Sequence, residues 1–121
     1  MLKKTIEEGK LRVSSRTLTA GTCLYRAGLP AETFYLILQG TVKLSMPNYS
    51  QDTTIGQGYL VGLQDLMEER YSHTAVLDED ATVLEITKQD LLRAISTITP
   101  LRLYLLRQMS KQPGPTALAY E

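Results

Sequence analysis

The run GYLVGLQDLMEERYSHTAV, from Gly58 to Val76, gathers the residues of this chain best suited to chemistry. Gly58 and Gly62 flank Tyr59, Leu60 and Val61, and a short helix is predicted to begin at or after Gly62. A loop that leads into a helix N-terminus presents unpaired N–H groups, which suit an anion such as a phosphate. The same glycines also fit a reading as plain turn residues, and the residues alone leave that open. Beyond them, Gln64, Asp65, Tyr71, Ser72, His73 and Thr74 carry groups able to bond a polar ligand. Gln64 and Asp65 equally suit solvated or helix-capping places. Other chemistries are poorly served. His73 is the one histidine and Cys23 the one cysteine, so no His-rich metal set, thiolate cluster or internal disulfide can be built. A Ser/His/acid arrangement of His73 with Asp78 or Glu79 lacks a nucleophile-elbow motif, and His73 on a strand reads as structural. There is no Walker loop, no GxGxxG and no evident acid/base carboxylate pair. The expectation is no catalytic residue, no metal ligand and no enzyme.

The whole chain narrows the field further. Its 121 residues suit about one domain, and 43% hydrophobic residues are enough for a core. Thirteen basic residues balance 13 acidic ones, which argues against a nucleic-acid surface. The charges are unevenly spread. Lys3, Lys4, Lys10, Arg12 and Arg16 mark a basic N-terminal end interrupted by Glu7 and Glu8, whereas Asp65, Glu68, Glu69, Asp78, Glu79, Asp80, Glu85 and Asp90 make the later part acidic. An anionic ligand would therefore need backbone N–H groups or a particular Arg or Lys. No apolar run approaches the roughly 20 residues of a membrane span, and no signal-peptide core follows Lys3 and Lys4. A soluble cytoplasmic protein is expected.

The elements that must position the loop come next. Residues 1–20 read as a helical or irregular lead-in, and residues 21–87 as a β jelly roll. TCLYR is a strand in which Cys23 is expected as a buried, inert thiol; AGLP is a turn; TFYLILQ is a strand buried on much of both faces. In TVKLSM, Val42, Leu44 and Met46 alternate with Lys43 and Ser45, as in a half-buried strand. PNYSQD makes a hairpin-type connection to TTIGQ, and YSHTAVLD and TVLEIT are joined by the acidic turn DED. Many short strands between Gly- and Pro-rich turns predict a mainly β fold, a β-sandwich or a double-stranded β-helix (jelly roll), flanked by N- and C-terminal α-helices. Helices are expected over 88–112, the first capped by Thr87 with Leu91, Leu92, Ile95 and Ile98 on one face. Pro100 opens a second, PLRLYLLRQMSK, whose Leu101, Leu103, Tyr104, Leu105, Leu106 and Met109 cover more than one stripe. That helix either wedges into the domain or meets a second chain, giving a homodimer. Residues 113–121 read as a flexible tail.

The ordered series YRAGLPAETFYLILQGTVKLS resembles the first half of the cyclic nucleotide-binding domain of catabolite-activator-type regulators and protein kinase regulatory subunits. Gly28, Tyr35, Leu36, Ile37, Leu38, Gly40, Val42 and Lys43 stand in the family's pattern places. Gly58 and Gly62 match the glycines that open the phosphate-binding cassette, TVLEITKQDLLRAI the last strand and its helix, and Pro100 the start of the long C-helix. The resemblance runs from about residue 15 to residue 110. A competing fold, the cupin jelly roll, binds metal through several His and a Glu, a set that His73 alone cannot supply.

The departures from the family pattern are chemical. Where the family has a Glu for the ribose 2′-hydroxyl, this chain has Leu63. Where the family has Arg-Ser-Ala, with the Arg on the cyclic phosphate, a gapless alignment places Tyr71, Ser72 and His73; a shift of two places His73, Thr74 and Ala75. Both alignments stay open, and neither provides an arginine. Arg70 is adjacent, but Glu68 and Glu69 compete for it. The resemblance implies a regulatory, ligand-sensing domain in signal transduction, transcriptional-regulator-like, in which a small anionic ligand such as cAMP or cGMP moves the C-terminal helices. Here binding of cAMP or cGMP is expected to be weak or lost. Two alternatives remain: a functional cAMP/cGMP site with Tyr71, Ser72, His73 and backbone N–H groups as anchors, or a purely structural dimerisation module. The candidate cassette residues are Gly62, Leu63, Gln64, Asp65, Tyr71, Ser72, His73 and Thr74. Any DNA-binding, channel or kinase output is expected outside this stretch of sequence.

Overall fold

The computed structural model describes residues 2–47, 51–98 and 102–103. Among them a short helix, α1 (Leu2–Glu7), precedes β1 (Ser14–Leu18), β2 (Cys23–Tyr25), β3 (Thr33–Gln39), β4 (Val42–Ser45), β5 (Thr53–Ile55), β6 (Leu60–Val61), a 3-10 turn at Leu63–Asp65, β7 (Thr74–Leu77), β8 (Ala81–Thr87) and α2 (Lys88–Thr97). The strands form two antiparallel four-stranded sheets, in the orders β1-β8-β3-β6 and β2-β7-β4-β5. This is the expected jelly roll.

Strand β3 explains its own composition. It pairs with β8 from Thr33 opposite Thr87 to Gln39 opposite Thr82, and with β6 on its other side. Phe34 and Leu36 pack with Leu84, Ile86, Leu91 and Ala94 in a cluster under α2, while Tyr35 and Ile37 join Val42, Val61, Ala75, Leu77 and Val83 between the sheets. A central strand covered on both faces needs an apolar run rather than alternation. Strand β4 lies between β5 and β7 and keeps the half-buried pattern, with Val42 and Leu44 buried and Lys43 exposed. Gly40 is obligatory at the β3–β4 turn: its φ is +104°, and an added Cβ would come within 2.7 Å of the Ala81 Cβ.

At α2, the Thr87 side chain accepts from the Asp90 N–H at 3.1 Å, so the expected cap is in place. Two expectations need correction. Strand β1 lies inside the 1–20 span assigned to the lead-in, pairing with β8 along its whole length. Its residues SSRTL are exposed except for half-buried Leu18, so no apolar alternation marks them; backbone pairing at a sheet edge holds them instead. Cys23 is exposed rather than buried, because edge strand β2 turns inward only at Tyr25. Asn48, Tyr49 and Ser50 of the PNYSQD connection, the helix start at Thr99-Pro100, the dimer-forming residues Leu101, Tyr104, Leu105, Leu106 and Met109, and the 113–121 tail lie outside the described residues. Leu103 is described as helical and exposed.

Candidate functional site

The cassette begins where β6 stops. Gly62 turns the chain with φ +97°, and an added Cβ would lie 2.9 Å from Phe34 Cδ1, so both conformation and space require glycine. The 3-10 turn closes through Asp65 N–H to Gly62 O at 2.9 Å and Leu66 N–H to Leu63 O at 3.0 Å. Leu63 and Leu66 are then driven down into the cluster with Phe34, Leu91 and Ala94. Leu63 is fully buried and serves as core. An apolar side chain in this place anchors the cassette to α2 and offers a ligand nothing.

The return leg is fastened to residues 26–33. Gly28 N–H donates to Tyr71 O, Tyr71 N–H to Leu29 O and Ala31 N–H to Glu69 O, each at 2.9 Å. Arg70 Nη1 donates to Gly28 O at 2.7 Å, which places its guanidinium on the backbone strap. Tyr71 donates its hydroxyl proton to Thr33 O at 2.6 Å and accepts from Thr33 N–H at 3.0 Å. Its ring stacks on Tyr25, with centroids 3.8 Å apart. Thr74 Oγ1 accepts from Ala27 N–H at 3.0 Å. Tyr71 and Thr74 therefore hold the loop in place.

The remaining candidates meet in one polar chain. Asp65, buried, accepts at Oδ2 from both the backbone N–H of Ser72 (3.0 Å) and its hydroxyl (3.1 Å). Ser72 Oγ lies 3.1 Å from His73 Nδ1, and His73 Nε2 lies 2.5 Å from the Tyr25 hydroxyl. Asp65 Oδ2, 3.7 Å from Nδ1, favours the tautomer protonated there. Tyr25 then donates to Nε2, Nδ1–H to Ser72 Oγ, and Ser72 to Asp65. Gln64 Nε2 sits 3.1 and 3.2 Å from the two ring nitrogens, while its buried Oε1 has no hydrogen-bond partner.

Burial sets the protonation states. It pushes the Tyr25 hydroxyl far above the usual tyrosine range, with Asp65 adding to the effect, and takes Tyr35 up to about 12. Burial also raises Tyr71, against the lowering by its backbone hydrogen bonds, and lowers His73, against an opposing pull from Asp65. The tyrosines and His73 thus form a neutral network closed around one carboxylate. Gln64, Asp65, Ser72 and His73 are brought together as the sequence suggests. Tyr25 completes the chain and escapes sequence reasoning, because it is 48 residues from His73 and tertiary pairing of the two segments brings them together. Among the described residues, no group of three or more His, Cys, Asp or Glu could hold a metal, and no helix is long and apolar enough to cross a membrane.

Comparison with known proteins agrees with this architecture. The sequence model of the cyclic nucleotide-binding domain matches residues 15–97. The chain belongs to the cyclic nucleotide-binding domain family. Solved structures share the domain's fold. The sensor domain of the transcriptional regulator DNR from Pseudomonas aeruginosa is 23% identical with a TM-score of 0.69, covering 81% of this chain and 69% of its own. The Thermus thermophilus catabolite activator protein is 24% identical with a TM-score of 0.69, covering 88% and 51%. The regulatory subunit of a cAMP-independent protein kinase A from Trypanosoma brucei is 19% identical with a TM-score of 0.69, covering 84% and 36%. The chain therefore spans about half of the catabolite activator protein and about a third of the kinase subunit. No curated protein matches it by sequence.

Proposed function

We propose that this cyclic nucleotide-binding domain is a regulatory module whose cassette has lost tight cAMP and cGMP binding. One observation carries the reading: the Ser72 N–H and hydroxyl, which the gapless alignment sets beside the family's phosphate contact, are both occupied by the buried Asp65 carboxylate. An incoming phosphate would have to displace a negative charge that belongs to the protein and then share its site. Among the described residues, no Arg or Lys donates to the Asp65–Ser72–His73–Tyr25 chain, and exposed Arg70 donates instead to Gly28 O. Loss of one charge-assisted hydrogen bond, about 1.5–3 kcal/mol, weakens binding by roughly one to two orders of magnitude. Leu63 stands where the family has its ribose acceptor, and its fully buried side chain offers the ribose none. The fold has precedent for such a state, since the Trypanosoma brucei kinase subunit is described as cAMP-independent. Calorimetric titration of the chain with cAMP and with cGMP is expected to give no saturation at low micromolar ligand. Tight saturation by either nucleotide would overturn the reading and favour the non-standard anchors Tyr71, Ser72 and His73.

A further inference from the structure

A second polar cavity, of about 230 Å³, lies away from the cassette, where the turn after α1 meets α2. Lys10, Arg12 and Arg93 line it with Gly9, Asp90, Ala94 and Thr97, so three basic residues and one acidic one border it, with Glu8 beside Lys10 as a second carboxylate. None of the three is firmly held. Lys10 Nζ pairs with Glu8 at 3.2 Å between two exposed side chains, and Arg93 makes a single long contact of 3.4 Å to Asp90 Oδ1. Exposed pairs of this kind contribute roughly 0–1 kcal/mol, so a better anion displaces them at little cost. Among the described residues, the Arg12 guanidinium has no hydrogen bond or ion pair. Thr97 donates its hydroxyl proton to Arg93 O at 3.1 Å, which leaves its oxygen lone pairs as acceptors.

We propose that this cavity binds a small phosphomonoester that carries hydroxyl groups, of the sugar-phosphate class. A phosphomonoester dianion matches two guanidinium forks and an ammonium, because Arg pairs with phosphate oxygens through two parallel N–H donors. Asp90 and Thr97 disfavour a ligand that is anionic all round, and they accept from hydroxyls on the rest of the molecule. The volume admits a phosphorylated sugar and falls below the roughly 300–1,000 Å³ of pockets for larger ligands. The site stands apart from the cassette and does not depend on how that is read. Its walls belong to two segments already packed together: Leu11, with Ile6 and Val13, shares a cluster with Leu91, Ala94 and Ile95. A ligand across Arg12 and Arg93 would clamp the N-terminal segment to α2, the helix that leads out of the roll.

Amide NMR of the 121-residue chain, titrated with ribose phosphate and separately with inorganic phosphate, tests the assignment. Saturable shifts are expected at residues 9–12 and 90–97, with ribose phosphate the tighter of the two. Arg12→Gln combined with Arg93→Gln should weaken binding by about tenfold or more while its amide spectrum stays that of a folded chain. Lys43→Gln, which removes a positive charge on β4, should leave the affinity unchanged. Three results would each overturn the proposal: no saturation at millimolar ligand, wild-type affinity in the double variant, or inorganic phosphate binding as tightly as ribose phosphate. Tight cAMP binding in the cassette would refute the cassette reading and leave these shifts unaltered.

Discussion

The cassette and the cavity beside α2 are both places where an anion could be sought, and they are built in opposite ways. In the cassette, the side chains of Asp65, Tyr71, Ser72, His73 and Thr74 each have an internal partner, and the charge within this group is the negative Asp65. Around Arg12 the charges are mostly positive, exposed and loosely paired. The contrast separates the shape of a binding loop from its capacity to bind. A loop can keep its glycine turn, its short helical turn and its return leg while its donors are satisfied within the protein. Once donors are paired within the protein, a ligand must break those bonds before it gains any of its own.

That contrast fails most visibly if Leu63 is a ligand-facing residue rather than core. Leu63→Ala is expected to cost about 2–5 kcal/mol, the range for truncating a fully buried leucine, as a shift of the urea midpoint. A loss below about 0.5 kcal/mol, typical of surface changes, would place Leu63 outside the core. Next in size is Asp65→Ala, which leaves the Ser72 N–H without its acceptor. The expected loss is about 1–3 kcal/mol, read in the same way. An unchanged midpoint would mean that Asp65 does not hold the loop, and the observation carrying the proposed function would fall.

The smallest effect is the most diagnostic of the buried network. Burial holds His73 below its ordinary value of 6.5 despite the opposing pull of Asp65. The unfolded chain therefore takes up the proton first as pH falls. The His73 contribution to stability is complete above about 6.5 and declines below it, down through the lowered native value. The expected slope is at most about 1.4 kcal/mol per pH unit, and His73→Gln should remove it. Urea midpoints of the two proteins across that window give the difference directly; parallel curves would show that the His73 environment is not desolvating.

Much of the roll was legible because its signals are local. The double-faced burial of TFYLILQ, the alternation around Lys43, the Thr87 cap and the turns at Gly40 and Gly62 each follow from a few neighbouring residues. Strand β1 was not legible, since an edge strand exposed on nearly all its residues carries no hydrophobic period. Cys23 was misread for the related reason that sheet position, not the strand's composition, decides which end of β2 is covered. In the cassette, the absence of an arginine and the presence of leucine at position 63 were plain from the sequence, together with the family itself.

The sequence by itself determined which groups the cassette could use: one carboxylate, one histidine, one serine, a tyrosine and no cation at the aligned places. Tertiary structure decided what those groups do. The β2–β7 pairing and the strap beside it bring Tyr25 to His73, and the 3-10 turn after Gly62 folds Asp65 back onto the Ser72 N–H. Composition can show that an anion lacks an arginine, but distance and burial decide that a carboxylate already holds its donors. The same holds at the other site, where Arg12 and Arg93 lie 81 positions apart in sequence and become neighbours because α2 packs over the lead-in.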